Sequence, residues 1–316
     1  MTDDYLGDAA ATAIHQCLAL DGAESCLVVT DDERERIGRA LYDVASEVTD
    51  DALYLQYAPL DQHGQEPHDA VAAALREADV FLAPTTKSLS HTRARHRACE
   101  GGARGATLPG ITEDVFVAGL DADYESIADH CEAVLERVAN ADEIRVTSPA
   151  GTDLTVTVGD REWRTDTGMV HEPGAFSNLP AGEVFVSPAS GDGTYVVDGT
   201  MRPHGLLEDR TLTFEVEDGY VTHISDDDIR EQVEAAAEEV GRDAYNLAEL
   251  GIGTNVAVEE LVGSVLLDEK AAGTVHVAIG DDASIGGDTE APLHLDGIVR
   301  DPTVYVDGEE IDLPHA

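Results

Sequence analysis

The hydrophobic period of the chain changes once, at about Asp142, and that change limits the folds open to it more than any other feature. Before Asp142, short apolar runs alternate with helical patterns. Cys26 to Val29, Leu53 to Tyr57 and Val80 to Ala83 read as strands, the last ended by Pro84, and a short strand is expected near Ala106. Between them Ile37, Ala40, Leu41, Val44, Ala45 and Val48 recur at helical spacing, as do Val71, Ala74, Leu75 and Ala78. A helix from about Thr92 and another carrying Ile127, Val134 and Val138 complete the pattern. Strands alternating with helices predict an α/β domain with a parallel, doubly wound sheet.

After Asp142 the texture is short β runs broken by turns. Ile144 to Val146 and Leu154 to Val158 flank a turn at Pro149 to Asp153. Leu212 to Val216 and Tyr220 to Ile224 flank Asp218-Gly219, a strong hairpin signal, and Val304 to Val306 and Ile311 flank Asp307-Gly308 in the same way. One amphipathic helix interrupts, with Ile229, Val233, Ala236, Ala237 and Val240 on one face and Gly241 as its C-cap. The expected division is an α/β Rossmann-like domain over 1–140 and a β-rich α+β domain over 141–316. No GxGxxG or GxxxxGK[ST] follows any strand, so a nucleotide site has no support.

Charge excludes several partners. The 65 acids and 19 bases give a net charge of -46, and only Lys87 and Lys270 are lysines. With 42% hydrophobic residues and regular periodicity this is a folded chain, not an acidic tail. The balance suits a halophilic protein, whose surface charges are screened by concentrated salt and repel one another in dilute solution. No basic patch for nucleic acid is visible. No signal peptide and no long apolar run is seen, so no membrane association and a cytoplasmic location are expected. Cys17, Cys26, Cys99 and Cys131 lack CxxC spacing and read as buried free thiols.

In so acidic a chain only carboxylates beside unusual neighbours carry information. His294 and Asp296 are two apart in a strand-like run, so both point to one face and can present an imidazole and a carboxylate to one ion. Asp296 before Gly297 could equally start a turn. His276 alternates with apolar residues in Thr274 to Ile279, where a structural histidine is the plainer reading. Glu183 opens an apolar strand after a Pro/Gly turn, and Glu249 lies between leucines before a glycine loop. Charges in such settings are paired or bind a metal. There is no HExxH and no GxSxG.

Taken together, NLPAGEVFVSP, ELGIGTN, EKAAGTVHVAIGD, HLDGIV and PTVYVDG resemble the metallo-aminopeptidases of the aminopeptidase T type. TTKSLSHT and ATLPGIT in the first half agree, so the resemblance spans nearly the whole chain. It implies an exopeptidase acting on peptide substrates, a homodimer, and divalent metal ions (Zn, Co or Mn) held by Glu183, Glu249, His276, His294 and Asp296. Glu183, Glu249 or Glu269 would move the proton, with Glu269 the best unliganded candidate. One departure stands out: larger members carry a metal-binding tyrosine where this chain has Ala283. The chain is also similar to the Fe(II) ring-opening dioxygenase that cleaves dihydroxypyridines, for which His276, His294 and Asp296 would form a mononuclear site. Lys87, Ser88 and His91 follow the third strand and read as a structural loop.

Overall fold

The computed structural model describes residues 2–315, which divide into two compact units. Unit 1 comprises 1–128 and 166–181, and unit 2 comprises 129–165 and 182–316.

Unit 1 is built on a parallel sheet of β1 (Cys26–Asp31), β2 (Ala52–Tyr57), β3 (Val80–Thr85), β4 (Arg104–Pro109) and β8 (Phe176–Asn178), in the order β2-β1-β3-β4-β8. Every residue of β1 and β3 is buried, which is why these strands read as unbroken apolar runs. Helices α1 (Thr2–Ala11), α2 (Glu35–Val48) and α5 (Glu113–Leu120) pack together, as do α3 (Asp69–Glu77) and α4 (Arg93–Glu100). This is the expected doubly wound α/β architecture. Thr92 and Thr112 cap α4 and α5 by accepting from the N–H groups of Arg95 and Val115.

Three details differ from the sequence reading. Pro84 does not end β3, because pairing with β1 stops at Leu82 and its missing N–H removes no bond from that ladder. Helices α1 and α5 carry too weak a periodic pattern to stand out. The return of 166–181 to unit 1, where β8 joins β4, is not signalled by the change of texture at Asp142. A three-residue strand has no period to read, and its pairing is wholly non-local.

Unit 2 holds two antiparallel sheets. One runs β14 (Tyr220–Ile224), β13 (Leu212–Glu217), β10 (Ser190–Val197), β6 (Asp153–Thr157), β5 (Glu143–Thr147), β18 (Thr303–Val306), β19 (Glu309–Ile311). Both of its predicted two-residue turns form, with Asp218 and Gly219 at φ 52 and 78 and Asp307 and Gly308 at φ 49 and 86. Positive φ at both central positions is the twist that matches a hairpin. The other sheet runs β12 (Gly205–Leu206), β11 (Thr200–Met201), β17 (His294–Val299), β16 (Val275–Gly280), β15 (Leu247–Gly253), β9 (Glu183–Val186), β7 (Arg164–Asp166). The glycines after Glu249 thus lie inside β15 rather than in a loop. Helix α6 (Tyr124–Val138) precedes β5, and α7 (Asp227–Val240) ends at Gly241, φ 69. Among the described residues no helix is long and apolar enough to cross a membrane.

Arg104 ties unit 1 together. Its buried guanidinium donates to the carbonyls of Leu18 (2.9 Å) and Val170 (3.1 Å) and makes a two-pronged contact with the Glu24 carboxylate. The hydrogen bond from Arg104 holds Glu24 below the usual carboxylate range. A carboxylate with a depressed folded pKa stabilises the fold above its unfolded pKa and loses that effect as pH falls through the folded value. Glu24→Gln should therefore cost about 2 kcal/mol near neutrality, the scale of a charge-assisted bond. Denaturant unfolding of both proteins against pH should show the gap closing in acid. A gap independent of pH would refute the ion-pair account.

Candidate metal centre

The four central strands of the second sheet bring all five candidate donors to one face. The register pairs Gly253 with Glu183, Gly251 with both Phe185 and His276, Glu249 with Ala278, Ala278 with Asp296, and Gly280 with His294. Side chains two apart on a strand share a face, so Glu183, Glu249, His276, His294 and Asp296 stand together. The positions between them are Ala278, Gly251, Gly253 and Gly280. Asp296 lies within β17, not at a turn.

Their ligand atoms form two groups that share one residue. Glu183, Glu249 and His276 make one, and Glu249, His294 and Asp296 make the other, each with its ligand atoms within 4.8 Å of one another. Glu249 turns Oε1 to His276 Nε2 (3.2 Å) and Oε2 to His294 Nε2 (3.3 Å). His294 Nε2 also stands 3.2 Å from Asp296 Oδ1, as the HxD spacing predicts. The set His276, His294 and Asp296 is not itself one of these groups, because Glu249 lies between the two imidazoles. His276 is 1% exposed, Glu183 and Glu249 6% each, whereas the His294 side chain is 32% exposed. The face opens at His294.

Hydrogen bonding fixes which atoms are presented. His294 Nδ1 lies 2.7 Å from the Asp281 carbonyl, which can only accept, so Nδ1 carries a proton and Nε2 faces the carboxylates. That carbonyl belongs to a loop anchored by buried Asp282, which accepts from Ser187 Oγ (2.9 Å), Asn246 Nδ2 (2.9 Å) and Thr289 N (2.7 Å). Glu183 Oε1 takes the ammonium of Lys270, while its Oε2 is buried and accepts no hydrogen bond. Lys270 also reaches Glu269 Oε1 at 2.8 Å.

The electrostatics are those of charges crowded away from water. Burial alone would lower His276, yet the hydrogen bond to Glu249 and the charges of Glu183 and Glu249 push it up to about 9. Burial alone would raise Glu249, yet its bonds to His276 and His294 hold it down at about 2. Burial drives Glu183 and Glu269 upward.

In the metal-free protein an imidazole proton bridges each of these nitrogen–carboxylate contacts, and a cation could take the place of that proton. The buried Oε2 of Glu183 accepts no hydrogen bond, although His276 Nε2 lies 3.4 Å from it. Both observations fit a divalent metal, and nitrogen and oxygen donors are what such ions take. Ala283, in the place of the expected tyrosine, sits in a short 3-10 turn, Ala283–Ile285. A further group, His204, Asp226 and Asp228, lies elsewhere in unit 2. There Asp226 is already satisfied by His204, by Arg210 and by capping α7.

Lys87, Ser88 and His91 are in unit 1, whereas the candidate donors are in unit 2. Ser88 Oγ donates to Ser90 Oγ (2.9 Å) and Ser88 N to His63 Nδ1 (3.2 Å), the pattern of a structural loop. Sequence reasoning missed Lys270 as a member of the cluster. Its signal was that it is one of two lysines in the chain and directly follows two acids. It also missed Gly251, which makes room for His276.

A Cβ on Gly251 would lie 2.1 Å from His276 Cε1 and Nε2. Gly251→Ala should therefore displace the imidazole. Divalent-metal affinity is expected to fall roughly 10–100-fold, the scale seen when support of a ligand is lost, while circular dichroism stays unchanged. Undiminished metal binding would mean that His276 is not a donor.

A family model described as NicX: 2,5-dihydroxypyridine 5,6-dioxygenase matches residues 34–312. The curated 2,5-dihydroxypyridine 5,6-dioxygenase of Pseudomonas putida is 25% identical over 186 residues, 55% of this chain and 53% of that protein. The aligned stretch thus spans about half the length of that relative. Among solved structures, 2,5-dihydroxypyridine dioxygenase from Pseudomonas putida superposes with a TM-score of 0.78 at 19% identity, covering 100% of this chain and 95% of that one. Wild-type AmpT from Thermus thermophilus superposes with a TM-score of 0.70 at 19% identity, covering 98% of each chain. At such identities the likeness of structure establishes the fold, whereas the family match extends over most of the sequence. By that match the chain belongs to the NicX, or 2,5-dihydroxypyridine 5,6-dioxygenase, family.

Proposed function

We propose that the chain is a metal-dependent hydrolase of the aminopeptidase kind, using two divalent ions to release the N-terminal residue of a peptide. The observation that carries this reading is Glu249, shared by two donor groups with one oxygen turned to each histidine. A carboxylate so placed can serve a separate ion with each of its oxygens. AmpT, the aminopeptidase-like neighbour, supports it at the level of fold.

When bound, zinc, cobalt or manganese would supply a water of lowered pKa and polarise the scissile carbonyl. The chain's own groups do the rest. Glu183 offers Oε2 while Lys270 holds Oε1, and His294 offers Nε2 while the Asp281 carbonyl holds Nδ1. Glu269 belongs to neither donor group and is 14% exposed, so it is placed to take the water's proton and return it to the leaving amine. Substrate enters at the exposed His294 edge. Surrounding carboxylates receive the free α-ammonium of a peptide, which favours an N-terminal over a C-terminal cut. The net charge of -46 supports a halophilic enzyme whose melting temperature rises with salt. A homodimer in the cytoplasm is part of the same reading.

A second reading is favoured by the family match: an Fe(II) enzyme that opens dihydroxylated aromatic rings. The two are separated by metal analysis of protein purified in multimolar salt, alongside Glu183→Gln and His294→Ala. The expected result is about two divalent ions per chain, reduced in both variants, with amino acids released from short peptides. His294→Ala should lose at least about 100-fold in kcat/KM, since it removes a donor outright. One iron per chain, kept by Glu183→Gln, with oxygen uptake on a dihydroxypyridine, would replace the hydrolase by the dioxygenase. Metal binding without turnover of either substrate class would leave a metal- or peptide-binding protein instead.

A further inference from the structure

Lys270 is the most anomalous charge in the molecule. A chain with two lysines has placed one of them, 3% exposed, against the candidate metal donors. Its ammonium bonds to Glu183 Oε1 and to Glu269 Oε1. Its bond to a candidate donor is to Glu183, which belongs to the group with His276 and not to the group with His294.

The placement is built, not incidental. Lys270 follows α8 (Val265–Asp268), whose last residue is anchored: buried Asp268 accepts from Thr200 Oγ1 (2.6 Å), Val262 N (2.9 Å) and Gly263 N (2.8 Å). The Lys270 backbone accepts from Asn255 N at 2.8 Å, and Ala272 N donates to the Asn255 carbonyl at 3.1 Å. Gly253 leaves space at the same place, since a Cβ there would meet the Ala271 carbonyl oxygen at 2.1 Å. The backbone that carries the lysine is therefore held on both sides.

We infer that Lys270 is a resident cation that makes the two metal positions unequal. The inference rests on the two-ion reading above. An ammonium bonded to Glu183 supplies part of the positive charge that an ion at Glu183, Glu249 and His276 would supply. It also repels that ion directly, in a poorly screened setting. The position at Glu249, His294 and Asp296 feels the lysine only at longer range, through its charge on Asp296, and is the more open to solvent. That position fills first and tightly. The Glu183 position fills second and weakly, so the enzyme passes through a stable one-ion form whose second position responds to metal supply.

The consequence runs opposite to that of an ordinary supporting residue. If Lys270 merely steadied Glu183, its removal would weaken metal binding. If it stands in for an ion, removal leaves Glu183 and Glu269 uncompensated in the metal-free protein, and the second ion gains affinity.

The test is calorimetric titration of manganese or zinc into metal-free protein in molar potassium chloride. Wild type, Lys270→Met, Lys270→Arg and Glu183→Gln are compared, with melting temperatures taken in parallel. Wild type should show two steps at least about tenfold apart. Lys270→Met should melt lower without metal and tighten the second step about tenfold or more. Lys270→Arg keeps the charge and should restore unequal steps, and Glu183→Gln should lose the second step alone. Equal steps in wild type overturn the inference even if Lys270→Met does not fold. So does an unchanged or weakened second step in that variant while wild type binds two ions. A single ion in every protein, wild type included, instead brings down the two-ion reading and this inference with it.

Discussion

Ionised carboxylates withdrawn from water require positive charge beside them, and much of unit 2 can be understood as meeting that requirement on one sheet face. Glu183, Glu249, Glu269 and Asp296 lie within reach of one another's neighbours on or beside β9, β15, β16 and β17. Lys270 answers one of these charges permanently. The two imidazoles answer two more when protonated, which is the sense of His276 being raised to about 9 and His294 being pushed up by Asp296 and Glu249 against the effect of burial. With all four carboxylates ionised the cluster would then hold one negative charge in excess, and burial, which drives Glu183 and Glu269 upward, acts against that excess. A divalent ion held by these donors would take the place of an imidazolium proton and bring two charges for one.

Outside the cluster the acids behave differently. The chain carries 65 carboxylates, and the pairs they form with Arg36, Arg39, Arg93 and Arg145 are exposed. Such contacts contribute little, and concentrated salt weakens them further. Acidic composition is therefore mainly a property of the surface, and the acids of the cluster are set apart from it by their apolar neighbours. The same distinction separates Arg104 from the other arginines. Its guanidinium is buried and takes two carbonyls besides Glu24, so it holds distant segments of unit 1 in one place.

How much of this was legible follows from which interactions are local. The alternation of strands and helices is a short-range pattern, so β1 to β4 and α2 to α4 were readable from residue spacing. Both Asp-Gly hairpins were readable because φ > 0 at two successive positions restricts the residues allowed. The pairing of His294 with Asp296 was readable because a strand puts i and i+2 on one face. Glu183 and Glu249 were conspicuous as charges among apolar residues. What escaped was non-local: β8 returning to β4, Lys270 meeting Glu183 across 87 residues, and Glu249 coming between two histidines. No spacing rule orders strands within an antiparallel sheet, so a site assembled across β9, β15, β16 and β17 could be listed as residues but not drawn.

The glycines of β15 show how the sheet accommodates a site whose bulk is all on one face. A strand ordinarily loses stability by carrying glycine, which fills no space and gives up more backbone freedom on folding. Here Gly251 and Gly253 lie on the donor face, and a methyl group at either would collide with the His276 ring or with the chain at Ala271. Glu249 is the last large side chain on that face of β15 before them. Ala278, between Glu249 and Asp296 across the sheet, is small for the same reason. The fold thus gives up packing at three positions so that imidazole and carboxylate groups can converge over the strands. That sacrifice has no use in a purely structural sheet, where the same positions would hold the β-branched residues found on its other face: Val184, Ile252, Val275, Val277 and Val299 are all buried there. Family membership fixes the frame in which such a site sits, and the reaction it runs depends on which donors stand over the glycines.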